Sequence, residues 1–203
     1  MDFDGTLFDT SQFRDRIFDT FLKAGYQLQD IKTARMLESM DYKYDPLRHL
    51  ERLQKIKHTN QKLAESRIEN LYRIAPKLLY EDTFSFISGI DREKFELNIL
   101  TLGDFDFQNS KIEHSGISDK FDNIYIADVQ KWDYLANIVG AREEYVIIDD
   151  RADTLEKIRM KFPKALCIQI IRQNLNMDDA TMMYKDVYSG IKIKELSQAI
   201  KYL

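Results

Sequence analysis

Asp2 and Asp4 stand two apart in Asp2-Phe3-Asp4-Gly5-Thr6, and that spacing could carry chemistry. Side chains alternate along an extended backbone, so both carboxylates project to one face. Like charges this close repel unless a cation lies between them or one carboxyl keeps its proton. Either remedy makes reagents: a cation that polarises a substrate oxygen, or an acid with a proton to give. An acidic turn fits the same letters, because Asp and Gly are common turn residues. The rest of the chain has to decide.

Three further features fall at the ends of apolar runs or just beyond them. Thr101 closes the run from Leu97, Lys131 follows the run Asn123–Ala127, and Asp149-Asp150 end Glu144–Ile148. Each has a plain structural alternative. Thr101 is a β-branched strand former, Lys131 alone is a solvated charge, and Asp149, Asp150 and Asp153 could cap the next helix. Taken together, carboxylates, a hydroxyl and an ammonium are a coherent set. Hard oxygen ligands with few histidines suit Mg²⁺. A hydroxyl and an ammonium beside them suit the oxygens of a phosphoryl group.

Two kinds of element must position these groups. From Asp9-Thr10-Ser11, which offer helix caps, Phe13, Ile17 and Phe21 form an apolar stripe at helical spacing that ends at Gly25. A second helix is expected over about 30–40, a third from Pro46, and a fourth from Asn60 towards Pro76. Beyond residue 80 the pattern changes to short apolar runs alternating with helices. Strands are expected at 97–102, 123–127, 144–148 and 165–171, and helices at 107–115, 132–139, 154–161 and 194–202. Such alternation implies a parallel sheet with right-handed crossovers, whose ligands bind beyond the carboxyl ends of the strands. The unusual polar residues fall at those ends.

Composition excludes several other classes. With 44% hydrophobic and 32% charged residues the chain is not disordered. Its 30 basic and 34 acidic residues give a net charge of −4, which favours neither nucleic acid nor an anionic membrane. Cys167 is the one cysteine, so no internal disulfide forms, and the three scattered histidines make no zinc motif. No apolar run is long enough to span a bilayer, and no signal peptide precedes the acidic start, so a cytoplasmic protein is expected.

Asp2-Phe3-Asp4-Gly5-Thr6-Leu7, Thr101, Lys131 and Ile147-Ile148-Asp149-Asp150 together resemble the four motifs of the haloacid dehalogenase (HAD)-like hydrolase superfamily, in order and spacing. The helices between the first two motifs resemble the helical (C1-type) cap of phosphoglycolate phosphatase-like members. Thr101-Leu102-Gly103-Asp104, followed by Gln108, Lys111, Gly116 and Phe121-Asp122, also resembles that subfamily. The resemblance implies an α/β fold: a Rossmann-like parallel-sheet core from 1–9 and 81–203, with an inserted all-helical cap over 10–80. It makes Asp2 a nucleophile that forms an aspartyl-phosphate, and Asp4 a general acid/base. Thr101, Leu102 and Lys131 would hold the phosphate. Mg²⁺ would be held by Asp2, the Asp4 carbonyl and an acid of the last motif, Asp149 or Asp150. Family dehalogenases lack the second Asp, which favours phosphoryl transfer here.

The last motif leaves two pairings open, Asp150 with Thr154 or Asp149 with Asp153; the first places Leu155 at the usual apolar position. The family's nucleophile also ends a buried strand, whereas only Met1 precedes Asp2 here. Either further residues precede Met1, or the central strand is reduced to a stub. The implied activity is Mg²⁺-dependent hydrolysis of a small phosphorylated metabolite, with Tyr44, Arg48 and His49 as polar candidates for substrate contact from the cap. A phosphomutase of the same superfamily and a non-catalytic binding protein of the same fold are the alternatives.

Overall fold

The computed structural model describes residues 1–36, 43–139, 144–172 and 188–203. The expected helical run comes first. Helix α1 (Thr10–Lys23) starts where the Asp9 side chain accepts a hydrogen bond from the Gln12 N–H, and it buries Phe13, Ile17 and Phe21. Helix α2 (Leu28–Met36) begins earlier than expected; Leu37 and Met40, placed in it from sequence, lie outside the described residues. In α3 (Pro46–Ile56) the proline occupies the first turn, and Asp45 accepts from the Leu47 N–H. Helix α4 (Gln61–Leu71) is capped by Asn60 and runs into a 3₁₀ stretch, Tyr72–Leu78, that carries Pro76. Short α5 (Thr83–Gly89) was not expected, because seven residues hold too little of a 3.6-residue period to stand out.

Strands and helices then alternate: β1 (Asn98–Leu102), α6 (Phe105–Ser115), β2 (Asn123–Ala127), α7 (Lys131–Ile138), β3 (Tyr145–Asp149), α8 (Ala152–Lys161), β4 (Ala165–Ile170) and β5 (Ile191–Ile193). Gly140, read as the stop of α7, lies outside the described residues. Strand β5 was missed because three residues carry no readable alternation, and the expected last helix is a 3₁₀ stretch over Leu196–Tyr202. Among the described residues the named strands pair in parallel, β1 with β2 and β3–β4–β5 in a second ladder. The fold class expected from sequence is therefore present, an α/β protein with parallel sheets.

The two ladders are joined by a stub. The Met1 amino group donates to the Asn98 carbonyl at 2.6 Å, and the Leu100 N–H donates to the Met1 carbonyl at 2.8 Å. On the other side the Asp2 N–H donates to the Ile148 carbonyl at 2.8 Å. Met1 and Asp2 thus occupy the central place between β1 and β3, and Phe3 follows with no exposed surface. Phe3 stacks on Phe8 with ring centroids 4.9 Å apart, and Phe8 meets Phe13 edge-on at 5.5 Å. Truncating a ring in so tight a group costs about 3–5 kcal/mol. This packing fixes the direction in which the acidic stretch leaves the sheet.

Just beyond it the chain crosses into the helical part and later returns beside the same place. The Asp9 N–H donates to the Leu78 carbonyl at 2.7 Å, and the Tyr80 N–H donates to the Leu7 carbonyl at 2.9 Å. The outgoing and incoming segments form a two-strand neck, with Phe8 and Leu79 paired antiparallel.

Candidate functional site

Asp2 is the last residue of the stub, so its side chain emerges where β1 and β3 end. Lys131, in the first turn of α7, reaches in from one side. Its Nζ lies 2.6 Å from Asp2 Oδ1 and 2.7 Å from Asp149 Oδ2, and all three residues are buried. Burial alone would strip the lysine of its proton, but the two carboxylates outweigh it and hold Lys131 above its usual range. Burial and the neighbouring Asp149 push the Asp2 carboxyl up to about 6, against the opposing pull of Lys131.

Asp150 is shifted in the same direction as Asp2. Burial, Asp149 and Asp2 raise its pKa well above the ordinary carboxylate value. No ion pair to it is formed among the described residues. Asp2, Asp149 and Asp150 each offer a carboxylate oxygen, and these oxygens lie within 4.8 Å of one another. One ammonium does not neutralise three carboxylates, of which Asp2 and Asp149 are buried and Asp150 half-buried. A hard divalent cation fits this set, both by its oxygen donors and by the uncompensated charge on Asp150. Asp149 is already engaged by Lys131 and by the Arg151 N–H at 2.8 Å. Asp150, with Asp2, is therefore the carboxylate with oxygens to offer.

The turn Asp4-Gly5-Thr6 is shaped around this acid. Gly5 has φ +72°, and a Cβ there would stand 2.5 Å from Asp150 Oδ2. A side chain is excluded both by the left-handed backbone and by the carboxylate.

Asp4 sits in a different setting. Lys111 Nζ donates to its Oδ1 at 2.5 Å, Thr10 Oγ1 to the same oxygen at 2.6 Å, and Gln108 Nε2 to Oδ2 at 2.7 Å. Burial would raise its pKa, but the Lys111 charge and these three hydrogen bonds outweigh it and hold Asp4 below the usual carboxylate range. Gln108 Nε2 also donates to Thr101 Oγ1 at 3.2 Å and to the Leu102 carbonyl at 2.9 Å. Gln108 and Lys111 are one helical turn apart on α6, so both reach the end of β1. Two carboxylates two residues apart are thus held in different protonation environments.

Asp2, Asp4, Thr101, Leu102, Lys131 and Asp150 line one pocket of about 270 Å³, at the small end of ligand sites. Thr154 shares it, whereas Asp153 is turned to Arg151 at 2.6 Å. Of the two pairings left open by the sequence, Asp150 with Thr154 is the one that meets in the pocket. The pocket wall also includes Arg14 and Gln130, which the sequence did not single out. The i+4 step from Thr10 was the available signal for Arg14, since Thr10 already touches Asp4.

Tyr44, Arg48 and His49 do not line this pocket. His49 is fully buried and donates from Nε2 to the Ile31 carbonyl at 2.9 Å, so its Nδ1 accepts from the Tyr44 hydroxyl at 3.1 Å. Burial drives its pKa down to about 4, and it packs edge-on against Phe21 at 4.8 Å. Arg48 forms ion pairs with Asp45 and with Asp104, the cap residue of α6, and so ties α3 to the loop after β1.

A search of curated protein sequences finds no match to the chain. Solved structures do resemble it. One described as a haloacid dehalogenase-like hydrolase from Burkholderia xenovorans LB400 superposes with a TM-score of 0.75 at 15% identity, covering 98% of this chain and 93% of that one. The HAD-hydrolase YfnB from Bacillus subtilis, bound to magnesium, gives 0.61 at 17% identity over 100% and 96%. L-2-haloacid dehalogenase from Xanthobacter autotrophicus gives 0.63 at 13% identity over 98% and 96%. At these identities the likeness establishes the fold. The family model described as haloacid dehalogenase-like hydrolase matches residues 1–132, from the stub through β1 and β2 to the first turn of α7. The chain belongs to the haloacid dehalogenase-like hydrolases.

Proposed function

We propose that the protein hydrolyses a small phosphomonoester with the help of Mg²⁺, through a phosphorylated Asp2. The observation that carries this reading is Asp4: a second carboxylate in the same small pocket, held ionised by Lys111, Thr10 and Gln108. A nucleophilic carboxylate alone would serve displacement of a halide. A second one beside it supplies the proton exchange that an alkoxide leaving group and an attacking water require.

In this reading Asp2 attacks phosphorus in line with the ester oxygen, and Lys131 keeps Asp2 oriented while facing the phosphoryl oxygens. Thr101 Oγ1 and the backbone at Leu102 complete the phosphate cradle. Asp4 rests as a carboxylate, so the proton it hands to the leaving oxygen arrives with the substrate monoanion; phosphomonoesters exchange that proton at a pKa near ~6. Asp4 then takes a proton from the water that cleaves the aspartyl-phosphate, and inorganic phosphate leaves. Asp2, the Asp4 carbonyl and Asp150 would hold Mg²⁺, which when bound neutralises charge on the transferring group. Residues 10–80 act as a cap over a core of 1–9 and 81–203, and the Thr10–Asp4 bond links α1 of the cap to the acid/base.

The test is turnover of an aryl phosphate and of a 2-haloacid, each with Mg²⁺ and with EDTA. Phosphate release that needs Mg²⁺ and vanishes in Asp2→Asn, with an unchanged circular dichroism spectrum, is the expected result. Halide release without phosphate release, or activity retained in Asp2→Asn, overturns the reading. Transfer of the phosphoryl group to a sugar phosphate in place of water would identify a mutase.

A further inference from the structure

Arg172 stands just beyond β4, where the Ile171 N–H donates to the Ile193 carbonyl at 2.8 Å, and it is buried. Its guanidinium spends three nitrogens on two partners. Nε and Nη2 donate to the Thr6 carbonyl at 3.2 and 2.6 Å, and Nη1 donates to Asp82 Oδ2 at 2.8 Å. The Tyr80 ring lies against it, with the guanidinium carbon 4.0 Å from the ring centroid. The two-pronged edge of a guanidinium fits a carboxylate best, and a buried charge is costly unless so paired. Here that edge faces a neutral carbonyl. Asp82 receives a single N–H and shares the accepting oxygen with the Leu196 N–H at 2.7 Å. The side chain is therefore arranged around Thr6 and not around the ion pair.

Thr6 is one leg of the turn that carries Asp4. The Phe3 carbonyl accepts from the Thr6 N–H at 3.3 Å, which closes a four-residue turn with Asp4 and Gly5 at its central positions. The Phe3 leg is fixed by the stub and by the stack on Phe8. The Thr6 leg is fully buried, and its hydroxyl meets no partner among the described residues. Its carbonyl has no donor besides Arg172 among those residues. The next carbonyl, Leu7, accepts from the Tyr80 N–H at 2.9 Å and the Thr83 hydroxyl at 3.1 Å. Arg172 thus secures the turn at the point where the chain enters the neck. Lys111, Thr10 and Gln108 hold the oxygens of Asp4, but the backbone from which Asp4 projects depends on both legs.

We propose that Arg172 is a positioning residue for the proton transfers of Asp4, clamping the Thr6 leg so that the carboxylate stands at the leaving oxygen. This role rests on the phosphatase reading of the pocket. A displacement of ~1 Å in such a group can cost about a hundredfold in rate. The loss falls on the step that needs the proton. An ester of a basic phenol needs an acid to leave, whereas 4-nitrophenolate leaves largely unaided.

The test compares wild type, Arg172→Met and Arg172→Lys on phenyl phosphate and 4-nitrophenyl phosphate, with Mg²⁺ present. In Arg172→Met, kcat/KM for phenyl phosphate is expected to fall about a hundredfold and that for 4-nitrophenyl phosphate about tenfold at most. Arg172→Lys keeps the charge without the planar fork and is expected to fall between wild type and Met. Inhibition by inorganic phosphate should stay within about twofold, because Thr101 and Lys131 are untouched. Amide exchange at Thr6, Leu7 and Phe8 should quicken about tenfold in both variants, with Ile99 and Ile168 unchanged. Equal losses on the two esters overturn the proposal, and so does unaltered exchange at Thr6, Leu7 and Phe8. If Arg172→Met does not fold, the same ratio in Arg172→Lys decides. A wild type that turns over neither ester overturns the phosphatase reading and this role with it, whereas normal wild-type turnover with equal losses overturns the role alone.

Discussion

Replacing Lys131 with Met removes the lysine ammonium that bridges Asp2 and Asp149 beside Asp150. The carboxylate oxygens lie within 4.8 Å of one another, and at an effective dielectric of ~20 a pair of unit charges at that separation repels by about 3.5 kcal/mol. Removing one partner of a buried ion pair costs about 3–5 kcal/mol, and that is the loss expected for Lys131→Met without metal at pH 8. The loss is pH-dependent, with a definite sign. Burial raises Asp2 from 3.8 to about 6 and moves Asp150 the same way. An acid whose folded pKa is raised favours folding below its unfolded pKa, and that advantage is lost as pH rises through the folded value. The contribution of these two acids to the metal-free wild type is therefore lost above about pH 6, and the variant suffers most there. Urea unfolding in EDTA at pH 8 and pH 5 should show a deficit at pH 5 less than half that at pH 8. Mg²⁺ at a hundred times its Kd should return about 2.7 kcal/mol to the wild type. A deficit under about 1 kcal/mol, or one equal at both pH values, would refute the charge balance drawn from the structure.

Three further outcomes are expected. His49 is neutral in the fold, with its pKa lowered to about 4 from 6.5, so the stability it carries is present above pH 6.5 and lost as pH falls towards 4. The loss amounts to about 3 kcal/mol, and His49→Phe should flatten the Tm profile between those values. Gly5→Ala forces a side chain into the left-handed region and against Asp150, so calorimetry should show a loss of about 1–3 kcal/mol, together with weakened Mg²⁺ binding. Titration of Mg²⁺ against Tm should separate the last acids: Asp150→Asn raises the midpoint at least about tenfold, while Asp153→Asn, whose carboxylate faces Arg151, leaves it unmoved.

Much of the molecule was legible because its signals are local. Runs such as Asn123–Ala127 are short, apolar and bounded by polar residues, and α1 carries a clear stripe of Phe13, Ile17 and Phe21. The acidic stretch, Thr101, Lys131 and Asp149-Asp150 could be aligned because each stands at a strand end or one loop away. What escaped depends on where elements turn their faces. Lys111 drew notice only through the subfamily resemblance and was given no role, yet α6 carries it beside Phe3, Phe8 and Phe107 to reach Asp4. His49 reads as a polar residue fit for substrate, yet it faces Phe21 and the Ile31 carbonyl within the helical core. Elements such as α5 and β5 are too short for any period to register.

The neck formed by Leu7–Asp9 and Leu78–Tyr80 separates the fate of the helical part from that of the sheet. Its two crossings are hydrogen-bonded side by side, so whatever lies between them begins and ends at nearly one point. For the entropy of chain closure alone, the sheet meets everything between them as one closed loop. Closing a loop of twice the length costs only about 0.6 kcal/mol more. Length can therefore be added to the loops between the helices at little cost in closure, as long as Phe13 on Phe8, Thr10 on Asp4 and Arg48 on Asp104 are kept.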